Sequence, residues 1–174
     1  MKCTSYITLG ALFATAAVAQ DFSGTGQIFV INSTSFADAN PSQSIGCLDA
    51  TGAFSVDNCA TFTKLKTASV ASEIGNCTFT DSSQPANTDN VYGANSYAWH
   101  CLGGYSANIY DGLYTVNGFK YTFLCHGDTD CYYDVKQLPS SDTTTPVWSF
   151  IWGSRQTSVP AGHTQVMWYW NKTS

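Results

Sequence analysis

Charge is what this sequence has least of: Asp, Glu, Lys and Arg together supply 11% of its 174 residues. Cations are scarcest, with seven Lys and Arg against 12 acidic residues and a net charge of −5. After Lys2 the only ones are Lys64, Lys66, Lys120, Lys136, Arg155 and Lys172, too few and too scattered to build a basic patch. A partner held by its phosphates, whether nucleic acid or an anionic membrane, is therefore not expected. Helical periodicity is almost missing. Its best stretch, Lys64 to Ile74 (KLKTASVASEI), puts Leu65, Ser69 and Ser72 on one side, a poor apolar stripe. There is no CxxC pair, which removes the common zinc layouts, and no G-x-S-x-G elbow. Beyond the first twenty residues no run is apolar and long enough to span a bilayer.

What is present begins with an export signal. Lys2 gives a positive start, Ile7 to Ala17 (ITLGALFATAA) an apolar run, and Ala17-Val18-Ala19 a small-x-small cleavage pattern. Residues 1–19 are read as a signal peptide and residues 20–174 as a single secreted β domain, about the size of one ordinary core. Cys3 leaves with the signal. Six cysteines stay: Cys47, Cys59, Cys77, Cys101, Cys125 and Cys131. An even set in an oxidising compartment reads as three disulfides. Of the fifteen pairings possible, the one in sequence order is expected because each bridge then closes a local loop. Each bridge is worth about 2–4 kcal/mol, the shortest loop least. The sequons Asn32-Ser33-Thr34, Asn76-Cys77-Thr78 and Asn171-Lys172-Thr173 mark Asn32, Asn76 and Asn171 as glycan acceptors.

Strand signals dominate the rest. Gly26–Asn32, Ala60–Leu65, Asn76–Thr80, Ser96–Leu102 and Cys131–Lys136 are rich in β-formers or alternate at period two. Gly112–Cys125 reads as a hairpin turning on Asn117-Gly118 through a type I′ turn. Residues 139–146 (PSSDTTTP) are a loop by composition. Trp148, Phe150 and Trp152 would share one strand face. Near the end, "VMWYW" (Val166 to Trp170) could be a buried strand or a platform for stacking sugars. Asn171 falls on the side of Met167 and Tyr169, so a glycan there would turn Val166, Trp168 and Trp170 to the core. Tyr169 is then the exposed ligand candidate. Many short strands with polar turns predict an all-β fold, a β-sandwich or a small β-barrel stapled by three disulfides.

Chemistry is thinly signalled. His100, His126 and His163 stand far apart with no metal-ligand spacing, so no metal and no cofactor are expected. Asp128 and Asp130 in the loop "CHGDTDC" could hold Ca²⁺, although a disulfide-fixed turn explains the same residues. Glu73 and Arg155, each the only residue of its kind, together with a histidine are the ingredients of a small secreted ribonuclease. Paired glycosidase carboxylates would have to come from aspartates that mostly sit in turns.

Taken together, the signal segment ending "AVAQ", the six remaining cysteines, the acidic Ser/Thr/Asn-rich surface and the compact β-type chain resemble fungal small secreted cysteine-containing proteins of the apoplastic effector and elicitor kind. The resemblance is one of kind and spans the whole chain. It implies a secreted, non-enzymatic protein, located in the host apoplast if the source fungus is plant-associated. Such a protein would induce plant defence or cell death and aid virulence. Its partner would be a host cell-surface or apoplastic protein, or cell-wall polysaccharide. A polysaccharide-binding or cell-wall-acting protein and a small secreted ribonuclease are the alternatives.

Overall fold

A computed structural model describes residues 21–127 and 131–174. The signal segment and both calcium candidates, Asp128 and Asp130, lie outside the described residues. Twelve strands follow one another: β1 (Thr25–Ile31), β2 (Ser44–Leu48), β3 (Phe54–Ser55), β4 (Phe62–Lys64), β5 (Val70–Ala71) and β6 (Asn76–Thr78), then β7 (His100–Leu102), β8 (Leu113–Thr115), β9 (Phe123–His126), β10 (Tyr133–Val135), β11 (Trp148–Ser149) and β12 (Thr164–Lys172). Three single 3₁₀ turns, at Pro41–Gln43, Gly93–Asn95 and Ile109–Asp111, are the only helical elements among the described residues.

Every strand pair with a determined register is antiparallel, and the sheet does not close into a barrel. Its spine is the pair of β1 and β12, in register from Gly26 opposite Lys172 to Ile31 opposite Met167. Ile28 lies opposite Trp170 and Val30 opposite Trp168, so period-two alternation places the large residues of both strands on one face. Gly26 permits that arrangement, because a Cβ there would stand 2.7 Å from the Trp170 ring. Each spine strand then divides its outer edge. β1 pairs with β4 at Thr25 and Gly26, and with β2 from Phe29 to Ile31. β12 pairs with β10 from Thr164 to Val166, and with β9 at Trp168 and Tyr169.

This branching curls the sheet over itself. Phe79 and Trp99, beside β6 and β7, reach Trp168 of β12 at ring-centroid distances of 5.9 and 5.4 Å, and Tyr133 of β10 stacks on Trp168 at 3.6 Å. Around them lies the main core, with Ile28, Leu48, Phe62 and Trp170. A smaller cluster of Ile31, Ala39, Phe123 and Met167 covers the other side of the spine. Both faces of the "VMWYW" stretch are therefore packed, which is why it reads as an unbroken apolar run. Each buried Trp removes roughly 150–250 Å² from water, about 4–6 kcal/mol as an upper estimate.

The three disulfides follow sequence order. Cys47–Cys59 ties β2 to the segment before β4, Cys77–Cys101 joins facing residues of β6 and β7, and Cys125–Cys131 links β9 to the start of β10.

The Lys64–Ile74 stretch, with its poor helical stripe, holds the end of β4 and all of β5, with Ala68 in the left-handed region at φ 65° between them. Two local expectations are corrected. The hairpin at Gly112–Cys125 exists as β8 and β9, but Thr115 faces Leu124 across a long connection. Gly118 takes a positive φ and Asn117 does not, so the turn is not type I′. The proposed face of Trp148, Phe150 and Trp152 breaks because β11 stops at Ser149; the first two are buried and Trp152 is 56% exposed.

Candidate functional site

The residues singled out for acid–base work stand apart. Glu73 is exposed at the turn between β5 and β6 and lines a depression of about 340 Å³ with Asn58 and Thr61. His100, on β7, lines a different one of about 410 Å³ with Thr51, Gln84 and Thr144. Its Nδ1 lies 2.7 Å from Asp81 Oδ2. The Asp81 carboxyl is held below the usual carboxylate range, chiefly by the Ser83 hydroxyl, with the Ser83 amide and His100 adding to it. Arg155 is exposed in the connection from β11 to β12, where its backbone N–H donates to the Tyr92 hydroxyl at 3.1 Å. No ion pair or hydrogen bond joins Glu73, Arg155 and any histidine among the described residues. Among those residues, too, no three metal-ligating side chains converge.

His163 is structural in its setting. At the start of β12 it places Nδ1 2.8 Å from Asp134 Oδ1 and Nε2 3.2 Å from Asp89 Oδ2. An imidazolium donates to both carboxylates, whereas a neutral ring can donate to only one. Asp134 is fully buried on β10, and its second oxygen accepts from the Asn87 amide at 2.7 Å. Asp89 also accepts from Lys136, which is the main reason its carboxyl sits below the ordinary range. Through these bonds the loop that carries Asn87 and Asp89 is fastened to β10 and β12.

A second buried carboxylate, Asp111, ends the 3₁₀ turn at Ile109–Asp111. It accepts from the Thr78 hydroxyl at 2.5 Å, and from the Tyr105 hydroxyl and the Asn108 backbone N–H at 2.8 Å each. His126 of β9 lies near it without bonding to it: Nε2 is 3.0 Å from the Tyr110 carbonyl, and the ring rests on Phe79 at 4.6 Å. Burial pushes the His126 imidazole below its ordinary range, against the opposing pull of that carbonyl and of Asp111.

A depression of about 280 Å³ is lined by Phe79, Thr80, Asn95, Ser96, His126, Gly127, Ser149 and Ile151. None of these side chains carries a fixed charge. Ser149 is 5% exposed and its Oγ has no hydrogen-bond partner; the other such buried atoms among the described residues are the indole nitrogens of Trp99, Trp168 and Trp170. Trp152, which follows Ile151 in the chain, is 56% exposed, and Tyr110, whose carbonyl lies 3.0 Å from His126 Nε2, is 76% exposed.

Tyr169 is half-buried rather than exposed, packed edge-on against Tyr121 and Phe123, and burial raises its phenol above the ordinary range. Asn32 is exposed just after β1 and Asn171 is half-buried on β12. Asn76 is half-buried, and its amide nitrogen, the atom a glycan would join, donates to the Tyr105 carbonyl at 2.8 Å. Sequence reasoning passed over Asp134, Asp111 and Ser149. The available signal was an acid set among apolar strand residues, as in Tyr132-Tyr133-Asp134-Val135, where a buried carboxylate must find donors.

Fold and site together define a curled antiparallel domain in which two fully buried carboxylates, Asp134 and Asp111, fasten loops to strands. Compared with protein-family models, with curated proteins and with solved structures, the chain matches none.

Proposed function

We propose that this is a secreted fungal effector or elicitor that acts without catalysis, through its surface, and is perceived by a plant host as a trigger of defence or cell death. The observation that carries the reading is the dispersal of the catalytic candidates. Glu73, His100 and His126 line three separate depressions, His163 is locked between two aspartates, and Arg155 reaches none of them. General acid–base catalysis requires its groups within hydrogen-bond reach of one reacting centre. Three disulfides and the lack of a membrane-crossing helix among the described residues are consistent with an extracellular protein.

The test is infiltration of purified protein into leaves of several plants, beside heat-killed and reduced controls. Necrosis, an oxidative burst or defence-gene induction by the native protein alone is expected; silence in every host sinks the reading. A gel assay on total RNA, with Glu73→Gln as control, checks the ribonuclease alternative, and no cleavage by either form is expected. Polysaccharide binding is the second reading, favoured by the exposed rings of Trp152 and Tyr110.

A further inference from the structure

We propose that Asn117 is a self-modification site: the backbone nitrogen of Gly118 attacks the Asn117 side-chain amide, and the turn of the β8–β9 hairpin converts to aspartyl and isoaspartyl forms as the protein ages. The change needs neither enzyme nor cofactor and stands apart from any host response.

Water is the only co-reactant. The Gly118 nitrogen, after losing its proton to solvent base, bonds to Asn117 Cγ. The Cγ–Nδ2 bond breaks, and the amide nitrogen takes up a solvent proton and leaves as ammonia. Water then opens the five-membered imide. Cleavage between the nitrogen and Cγ leaves an aspartyl side chain. Cleavage at the backbone carbonyl carbon reroutes the chain through Cβ and Cγ, an isoaspartyl link. Either product exchanges a neutral amide for a carboxylate, which adds a negative charge.

Such a site needs an amide open to water, a following residue too small to crowd the attack, and an attacking N–H that is not already bonded. Asn117 and Gly118 are both exposed. Gly118, at φ 94°, has nothing within 4 Å of where a Cβ would stand, so little opposes rotation of the peptide towards the side chain. Neither the Asn117 side chain nor the Gly118 N–H has a hydrogen-bond partner among the described residues.

Elsewhere the fold withholds at least one of the three. Asp111-Gly112 is the only other pair in which Asn or Asp precedes Gly. Its carboxylate is fully buried and takes three donors, and the Gly112 N–H donates to the Ile109 carbonyl at 3.3 Å. At Asn32-Ser33 and Asn95-Ser96 the serine N–H donates to the carbonyls of Ile31 at 3.1 Å and Gly93 at 2.9 Å. Every other asparagine precedes a bulkier residue. Asn117 alone meets all three conditions. Gly118 also lines a depression of about 400 Å³ with Asp38, Phe119 and Lys120, so lengthening the backbone just before it reshapes one wall of that depression.

The experiment incubates the folded, oxidised protein in neutral and mildly alkaline buffer, then digests it at acidic pH for peptide mass spectrometry. The peptide holding Asn117 is expected to gain the mass of an amide-to-acid exchange and to take up heavy oxygen from labelled water. The isoaspartyl product should exceed the aspartyl one, the rate should rise with hydroxide concentration, and anion exchange should resolve a more acidic form of the whole protein. Asn117→Gln should abolish that form at an unchanged melting midpoint, because six-membered closure is slower. Gly118→Ala should slow the reaction severalfold; alanine is strained at this φ, and Asn117→Gln decides the matter if that variant does not fold. An intact Asn117 in the folded protein, when the reduced and urea-unfolded chain reacts, overturns the proposal. So does another asparagine reacting first, or an aspartyl product without the isoaspartyl one.

Discussion

Asp134 and Asp111 are both fully buried, both lie close to a histidine, and are satisfied in opposite ways. Asp134 leans on a titratable partner: His163 bonds one oxygen and Asn87 the other. Asp111 is held by neutral donors alone, two hydroxyls and a backbone amide, while His126 stays on a carbonyl and contributes only its field. One lock is long-range, joining residues 47 and 29 positions apart in sequence. The other is mostly local, built around a 3₁₀ turn with one bond to β6. A buried charge thus needs donors of good geometry but not a counter-ion.

The largest effect should come from cutting the long-range lock. Asp134→Ala is expected to cost about 3–5 kcal/mol, since it strands His163 and Asn87 together. Asp111→Ala should cost less, about 2–3 kcal/mol, because two of its three donors, on Tyr105 and Asn108, sit nearer water and can rehydrate. Urea midpoints of the two variants compare them directly; equal losses would mean the histidine adds nothing.

Acid acts next, through His126. The folded pKa of His126 is depressed, so its contribution is complete above the ordinary histidine value of about 6.5. Below that value the unfolded chain takes up a proton that the native ring refuses, and stability falls with pH. His126→Phe should flatten the melting-temperature profile between about pH 6.5 and 5. His163→Phe should lower stability by removing its bonds to Asp134 and Asp89.

Smaller again is Tyr105→Phe, which removes one of three donors to Asp111 and should cost about 0.5–1.5 kcal/mol in the same urea titration. A loss as large as that of Asp111→Ala would break the contrast. Lys136→Ala should be smallest of all, leaving the urea midpoint unchanged, since both Lys136 and Asp89 face solvent.

The frame was legible in the sequence where the signal was local. Alternation marked β6 and β12, runs of β-formers marked β1 and β4, the stretch Cys131–Lys136 read as the strand that holds β10, and cysteine order matched short loops that could close without distant help. Trp168 and Trp170 read correctly as core from the period-two argument on Asn171. What escaped depended on partners remote in sequence. β2 and β3 carry no strong pattern of their own: β1 offers β2 an edge, and β2 in turn offers one to β3. Tyr169 lost its exposure to Tyr121 and Phe123, which no spacing rule brings near it. Isolated acid residues cannot announce which donors will meet them, so both carboxylate locks stayed hidden. The scatter of Glu73, Arg155 and the histidines was invisible for the same reason: composition names ingredients, and only topology gathers them.

The spine also sets an order of events when the chain folds. β1 is the first strand along the described chain and β12 the last, yet they pair along nearly their whole length. Contacts of such high separation form slowly, because the entropy of closing the intervening chain must be met before they contribute. A nascent chain would carry β1 with one edge unfilled and Ile28, Phe29 and Val30 uncovered until β12 arrives. The cysteines, bridged across gaps of 12, 24 and 6 residues, can couple well before that. Oxidation would then organise the middle of the chain first, with the tryptophan strand arriving as the piece that completes the sheet.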